Sequence, residues 1–112
     1  MTEYAAGFAP EKWSRIKVGM SENEIKDILG SPLEMTERSK EGILRVRHFS
    51  AGIQEKECYY NLPPAAYDPA KIESIMFEYS RPGKWLDSYN VRLLKIDSTR
   101  HVVEKVSEYY ND

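Results

Sequence analysis

The stretch RIKVGMSENEIKDILGSP, residues 15–32, decides the fold because it specifies one short helix from start to finish. Ser21 is a favourable N-cap, and Glu24 three residues later completes a capping box. Gly30 and Pro32 follow in the order that is typical of a helix end. Between cap and stop, the apolar residues recur at helical spacing, which predicts a helix with one buried side. That apolar stripe consists of Ile25, Ile28 and Leu29.

A shorter helix is predicted just before this one. Pro10 suits the first turn of a helix, where the missing N–H has no partner to lose. Trp13 and Ile16 then follow at a spacing of three and are assigned to the core, as is Phe77 of the strand-like run at 72–79. The 112 residues are enough for one domain. We therefore expect a loose N-terminal arm over residues 1–9 and a single domain over residues 10–112.

Strand patterns dominate the chain after the second helix. Apolar and polar residues alternate there in short runs, and two loops rich in proline and glycine interrupt them. The predicted fold class is α+β: two short N-terminal helices packed on one face of a four-stranded antiparallel meander sheet, within a range of three to five strands. The runs lie at 43–49, 53–60, 72–79, 89–96 and from 101 to about 109, with a further short strand near 33–35.

Charge and hydropathy exclude some classes of function. The 16 Lys and Arg and 18 Asp and Glu are interspersed, with a net charge of -2, whereas a nucleic-acid surface needs a clustered basic excess. The apolar runs are far shorter than the roughly 20 residues of a membrane-spanning helix. Residues 1–12 have neither signal-peptide character nor a lipobox, so we expect a cytoplasmic protein as the sequence stands. If a leader precedes Met1 in the natural chain, the expected location is the periplasm or the outer membrane.

Catalytic candidates are few. Cys58 and His48 could meet across adjacent strands as nucleophile and base, and His101 is the other histidine. None of the familiar hydrolase, dithiol or metalloprotease motifs accompanies them. We therefore interpret Cys58 and His48 as ordinary sheet residues and predict a protein without enzymatic activity, metal or cofactor.

Charged residues alternate along two neighbouring predicted strands. Glu55 and Glu57 share a face, as paired carboxylates in an acid/base site do and as a solvated strand face also does. Arg45 and Arg47 alternate in the same way on the preceding strand. Cross-strand ion pairs between the two strands explain this pattern without a ligand.

Aromatic residues near the two long loops are the best candidates for partner binding. Tyrosine and tryptophan are enriched at protein interfaces because one part of the ring system is apolar and another is polar. The alternative is that several of them cover the edge of the core. The candidates are Tyr67, Trp85, Lys84, Tyr89, Tyr59 and Tyr60.

Two stretches resemble a known family. The string KVGMSENEIKDILGSP, residues 17–32, is similar to the signature of the SmpA/OmlA (BamE-like) outer-membrane assembly lipoproteins, in which a Gly-Met-Ser/Thr turn leads into a short helix closed by Leu-Gly-x-Pro. The string LLKIDSTRHVVEKV, residues 93–106, resembles the closing hairpin of that family. The resemblance implies two helices on a small antiparallel sheet, a fold also seen in each half of the β-lactamase inhibitor protein. The residues that carry it are Gly19, Met20, Ser21, Ile25, Leu29, Gly30 and Pro32.

The same resemblance sets the functional expectation. It implies a non-enzymatic protein-binding or assembly module that uses its sheet and long loops on a protein partner, with lipid head groups as a further contact. The alternative is an inhibitor-like module that inserts residues 80–88, with Lys84 and Trp85, into an enzyme cleft. A third class is an enzyme that uses Cys58 and His48. The oligomeric state stays open.

Overall fold

Antiparallel strands form most of this protein. The computed structural model describes residues 1–60, 62–84 and 88–111. Of these, Asn111 is described by its backbone alone. Two α-helices, α1 and α2, span Pro10–Ser14 and Glu22–Leu29, and short 3-10 helices span Pro64–Ala66 and Pro69–Lys71. The strands are β1 (Thr2–Tyr4), β2 (Glu34–Ser39), β3 (Gly42–Ser50), β4 (Ile53–Tyr59), β5 (Ser74–Glu78), β6 (Ser80–Pro82), β7 (Ser88–Asp97) and β8 (Val102–Asn111).

The predicted α+β fold with a four-stranded sheet is wrong. In the described ranges, eight strands form one six-stranded antiparallel sheet, in the order β4-β3-β2-β5-β7-β8, and one two-stranded sheet of β1 and β6, with only two α-helices. The main omission was β2, expected only as a short strand near residues 33–35. Its sequence EMTERS lacks apolar alternation, yet it lies at the centre of the sheet between β3 and β5. Neighbouring strands, rather than its own pattern, make this segment a strand.

Residues 1–9, expected to form a loose arm, are held against the sheet. β1 pairs with β6, and the amide of Ala5 donates to the carbonyl of Tyr79 at 2.9 Å. The Thr2 hydroxyl accepts a hydrogen bond from the amide of Asn90 at 2.7 Å. The second predicted loop, residues 81–88, begins with part of β6. β1 and β6 are held by backbone hydrogen bonds to each other, and no local sequence pattern predicts this pairing.

The second helix forms as its sequence predicts. The Ser21 side chain accepts from the amide of Glu24 at 3.2 Å, and the Glu24 carboxylate accepts from the amide of Ser21 at 3.3 Å, which completes the capping box. Ile25 and Leu29 are buried and Ile28 packs partly against the same core. The assignment of Trp13, Ile16 and Phe77 to the core is confirmed.

The chain before this helix is tied to the beginning of β8. Gly19 donates to the Val102 carbonyl at 2.8 Å, and Val102 donates back to the Met20 carbonyl at 2.9 Å. The amide of Glu22 donates to Arg100 at 2.8 Å. These hydrogen bonds hold the start of the helix beside β8, and Ile25 and Leu29 of α2 share one buried cluster with residues of β5 and β7.

We expect Ser21→Ala to lower the free energy of unfolding by about 1 kcal/mol, because the amide of Glu24 loses its acceptor, the Ser21 hydroxyl. Urea denaturation followed by circular dichroism measures this change. Ser21→Asp is the matched control, since its carboxylate can still cap the helix. Equal losses in both variants would show that the cap contributes nothing specific.

Candidate functional site

The tyrosines predicted to bind a partner lie towards opposite edges of the six-stranded sheet. Tyr59 and Tyr67 contact each other edge to face near β4, with ring centroids 5.4 Å apart. Tyr89 on β7 instead stacks on Tyr110 of β8 at 5.4 Å. Since β4 and β8 are the two outer strands, the structure separates these residues into two sites.

The other candidates belong to neither group. Tyr60 directly follows β4 and is 41% exposed. Lys84 is exposed beyond β6. Trp85 lies outside the described residues, so the structure gives no position for the loop tip expected in the inhibitor-like alternative.

A buried ion pair lies beneath Tyr67. Glu37 of β2 is only 2% exposed, and Arg45 of β3 binds it with two nitrogens, Nε to Oε1 at 2.6 Å and Nη2 to Oε2 at 2.9 Å. The Tyr67 hydroxyl donates to the same Oε1 at 2.9 Å, and its ring lies 4.4 Å from the guanidinium carbon. Arg45 also donates to Glu57 at 2.9 Å, and Glu57 accepts from Tyr59. Five side chains from three strands and one loop thus form a single network.

The pKa shifts in this network keep Arg45 charged, Tyr67 protonated and Glu57 ionised. Burial acts to lower the pKa of the Arg45 guanidinium, but the hydrogen bonds and charge of Glu37 outweigh burial and raise it. Burial, together with Glu37, raises the pKa of Tyr67 to about 12. The Tyr59 hydroxyl and then Arg45 lower the pKa of Glu57. Near neutral pH, Tyr67 is therefore a proton donor within the fold, and Arg45 stays charged.

Sequence reasoning found part of this network. The expected pairing of Arg45 with Glu57 is present, whereas Glu55 is exposed and falls at the bulge of the β3–β4 ladder. Glu37 was missed because the strand that carries it was missed. Arg47 lies with Nη2 3.8 Å from Glu37, and its buried Nε has no hydrogen-bond partner within the described part of the chain.

Arg45→Met should destabilise the protein by about 3 kcal/mol, because the buried Glu37 carboxylate loses its two-nitrogen contact and keeps only the longer approach of Arg47 at 3.8 Å. Chemical denaturation gives the value. The double variant Glu37→Leu/Arg45→Met removes both charges and should be more stable than Arg45→Met alone. Glu57→Gln, at a more exposed pair, should lose less than about 1 kcal/mol. A double variant no better than the single one would contradict the buried-charge explanation.

Two carboxylates, Glu34 and Glu78, lie side by side in a second cluster of charged residues. Glu34 on β2 lies directly opposite Glu78 on β5 and directly opposite His48 on β3, with 4.0 Å between its Oε1 and the His48 Nε2. Burial, followed by the charge of Glu34, raises the pKa of Glu78 to about 7, although Arg81 acts in the opposite direction. Glu78 therefore keeps its proton at pH values where an exposed glutamate has lost it.

This pair predicts a pH-dependent stability. Between the ordinary pKa of 4.5 and about 7, the folded chain binds a proton that the unfolded chain releases, so stability should fall as pH rises through this window. Glu78→Gln should flatten that decline and make the protein more stable than wild type at pH 8. Urea midpoints between pH 4 and 8 test this expectation, with Glu55→Gln as an exposed control. An unchanged slope in Glu78→Gln would contradict the assignment.

The candidate nucleophile and base do not pair. Cys58 lies opposite Val46, and His48 lies opposite Lys56, so the two are diagonal on the β3–β4 ladder. In the described ranges, no three His, Cys, Asp or Glu side chains gather closely enough to hold a metal ion. Likewise, none of the helices that the structure describes has the length and apolar character to cross a bilayer.

The free edge of β8 is the most exposed apolar feature at the second site. β8 runs from Val102 to Asn111 and, among the strands described, pairs only with β7. Tyr109 is 63% exposed, Tyr110 45% and Val103 45%. The sequence VVEKVSEYYN contains no proline, a residue that commonly blocks an edge strand. The adjacent residues Tyr109 and Tyr110 were a signal for this site, but the last strand was predicted to end at about Tyr109 and neither tyrosine was among the binding candidates.

No protein-family model matches this chain, and neither does any curated protein or solved structure. The resemblance to SmpA/OmlA proteins therefore stays a prediction. Any functional assignment has to be argued from the surface of the molecule.

Proposed function

We propose that this protein is a non-enzymatic protein-binding module and that the edge of β8, with Tyr109 and Tyr110, receives the partner. The observation that carries the proposal is the long strand β8, whose outer edge has no partner beyond Val102 among the residues that the structure describes. An extended segment of another protein can add to such an edge through backbone hydrogen bonds, while pockets beside it select side chains. Natural proteins usually block edges of this length, so an open one is a reasonable binding surface.

The tyrosines are placed to give such binding its specificity. Alternation along β8 puts Tyr110 on the sheet face away from the helices, where it stacks on Tyr89 and donates to Glu108. Tyr109 is on the helix-bearing face, opposite Asn90 of β7. An added strand would therefore meet an exposed aromatic ring on each face. Tyrosine contributes large contact area with few rotatable bonds, which is favourable at an interface.

The charge of this edge favours a protein over a membrane surface. The strand carries Glu104 and Glu108 against the single cation Lys105. Lys105 is already engaged, since its Nζ donates to the carbonyls of Trp13 at 2.8 Å and Ile16 at 3.1 Å. Anionic lipid surfaces attract clusters of basic residues, which this strand lacks. We therefore place lipid head groups second to a protein partner.

A displayed library of extended peptides provides the probe for this proposal. For the peptides selected, Tyr109→Ala/Tyr110→Ala should weaken binding by about tenfold or more, as expected for exposed aromatic anchors. Isothermal titration calorimetry measures the affinity, and NMR shows whether amides of residues 103–111 shift. Tyr60→Ala, at the opposite edge, is the matched control and should bind as wild type does.

Two outcomes would overturn the assignment to β8. One is that the selected peptides shift amides of β4 instead; the other is that the double alanine variant binds them as tightly as wild type. Vesicles of anionic phospholipid form a separate arm, and we expect no change in the β8 amides with them.

A further inference from the structure

We propose that the strand added to β8 is the same strand of a second copy, paired antiparallel about a two-fold axis at Ser107. This inference rests on the proposed function, because it names the occupant of the same edge. It predicts a homodimer with one continuous sheet through both copies.

The free edge has definite limits. At Val102 the outward backbone groups are taken, because Gly19 donates to its carbonyl and Met20 accepts from its amide. Beyond that residue, no backbone group within the described part of β8 bonds to a segment other than β7. The available stretch is therefore 103–111, in which Val103 lies at a bulge of the β7–β8 ladder and Ser107 is the midpoint.

Symmetry restricts how two such edges can pair. A two-fold axis that relates adjacent antiparallel strands stands perpendicular to the sheet, so each residue meets one that points to the same face. Lys105 and Ser107 are on the helix-bearing face, since Lys105 contacts the Trp13 carbonyl and the Ser107 hydroxyl accepts from the Trp13 indole at 2.8 Å. Tyr109 shares that face by alternation. The other face carries Glu104, Val106, Glu108 and Tyr110, as their partners on β7 show.

Charge repulsion excludes most registers that remain. An axis at Glu104, Lys105 or Glu108 puts each of those charges opposite its own copy. An axis at Val106 puts Glu104 opposite Glu108 twice. Like charges directly opposite each other destabilise a strand pair. An axis at Tyr109 avoids this conflict but pairs only residues 107–111.

The register centred on Ser107 uses the entire free stretch without opposing like charges. It puts Lys105 opposite Tyr109, Glu104 opposite Tyr110 and Val106 opposite Glu108, each of them twice by symmetry. The Lys105 ammonium stays on the carbonyls of Trp13 and Ile16, so the ring of Tyr109 would cover its aliphatic stem. The exposed ring of Tyr109 thereby gains a partner that no other full-length register offers.

Two substitutions of opposite charge at Tyr109 test this register. Tyr109→Lys places a cation opposite Lys105 of the partner copy, whereas Tyr109→Glu places an anion there, and both remove the same ring. Sedimentation velocity at low ionic strength should show dimers for wild type and a dimer of Tyr109→Lys about tenfold weaker than that of Tyr109→Glu, since the pair occurs twice. Equal dimer affinities of the two variants would overturn the register. Far-UV circular dichroism confirms that both variants fold.

Disulfide trapping tests the axis independently. In the Cys58→Ser background, Ser107→Cys brings the two introduced thiols face to face on the axis, within the separation that a disulfide bridges. Mild oxidation should yield a covalent dimer, whereas Tyr109→Cys in the same background should cross-link far less. Equal trapping at both positions would overturn an axis at Ser107.

The failure of self-pairing can be separated from the failure of the proposed function. A wild-type chain that stays monomeric at millimolar concentration overturns the second copy as occupant. If selected peptides still shift the amides of residues 103–111, β8 stands as the binding edge for another protein. If neither dimers nor peptide shifts at β8 are found, both proposals are wrong.

Discussion

Two backbone hydrogen bonds join Gly19 and Met20, just before α2, to Val102, the first residue of β8. They connect the helical part of the chain to the outer strand of the six-stranded sheet. On one side of them, the capped helix α2 is positioned so that Ile25 and Leu29 enter the core. On the other side, they occupy the first outward groups of β8 and so define where its free edge begins. One pairing between segments far apart in sequence thus sets both the position of α2 on the sheet and the start of the edge to which we assign binding.

A second constraint acts in the middle of the sheet. β2 is a central strand that carries a buried carboxylate, and such a strand is stable only if a counter-charge is brought to it. Arg45 supplies that charge from β3, and Tyr67 closes the site from the loop after β4. The aromatic residue that loop composition marks as a partner contact therefore uses its hydroxyl inside the protein. The exposed tyrosines Tyr109 and Tyr110 lie instead at the opposite edge of the sheet.

Different parts of the structure were predictable to different degrees. The helix over Glu22–Leu29 was predictable because its cap, apolar stripe and stop lie within a few residues of one another. β2 was not, because residues such as Thr36 and Glu37 carry no alternating apolar signal and depend on neighbours distant in sequence. Of the candidate site residues, Tyr89 lies on β7 and stacks on Tyr110 of β8. The free edge itself could not be predicted, since which strand is outermost depends on strand order.

The amino-acid sequence by itself determined the capped helix, the core positions of Trp13 and Phe77, and the alternation of most strands, because each of these depends on neighbours close along the chain. Only the tertiary structure decided the six-strand order, the burial of Glu37 against Arg45 and the exposure of β8 beyond Val102. The physical reason is that strand partners and counter-ions are chosen across long sequence separations, by burial and charge compensation rather than by local conformational preference.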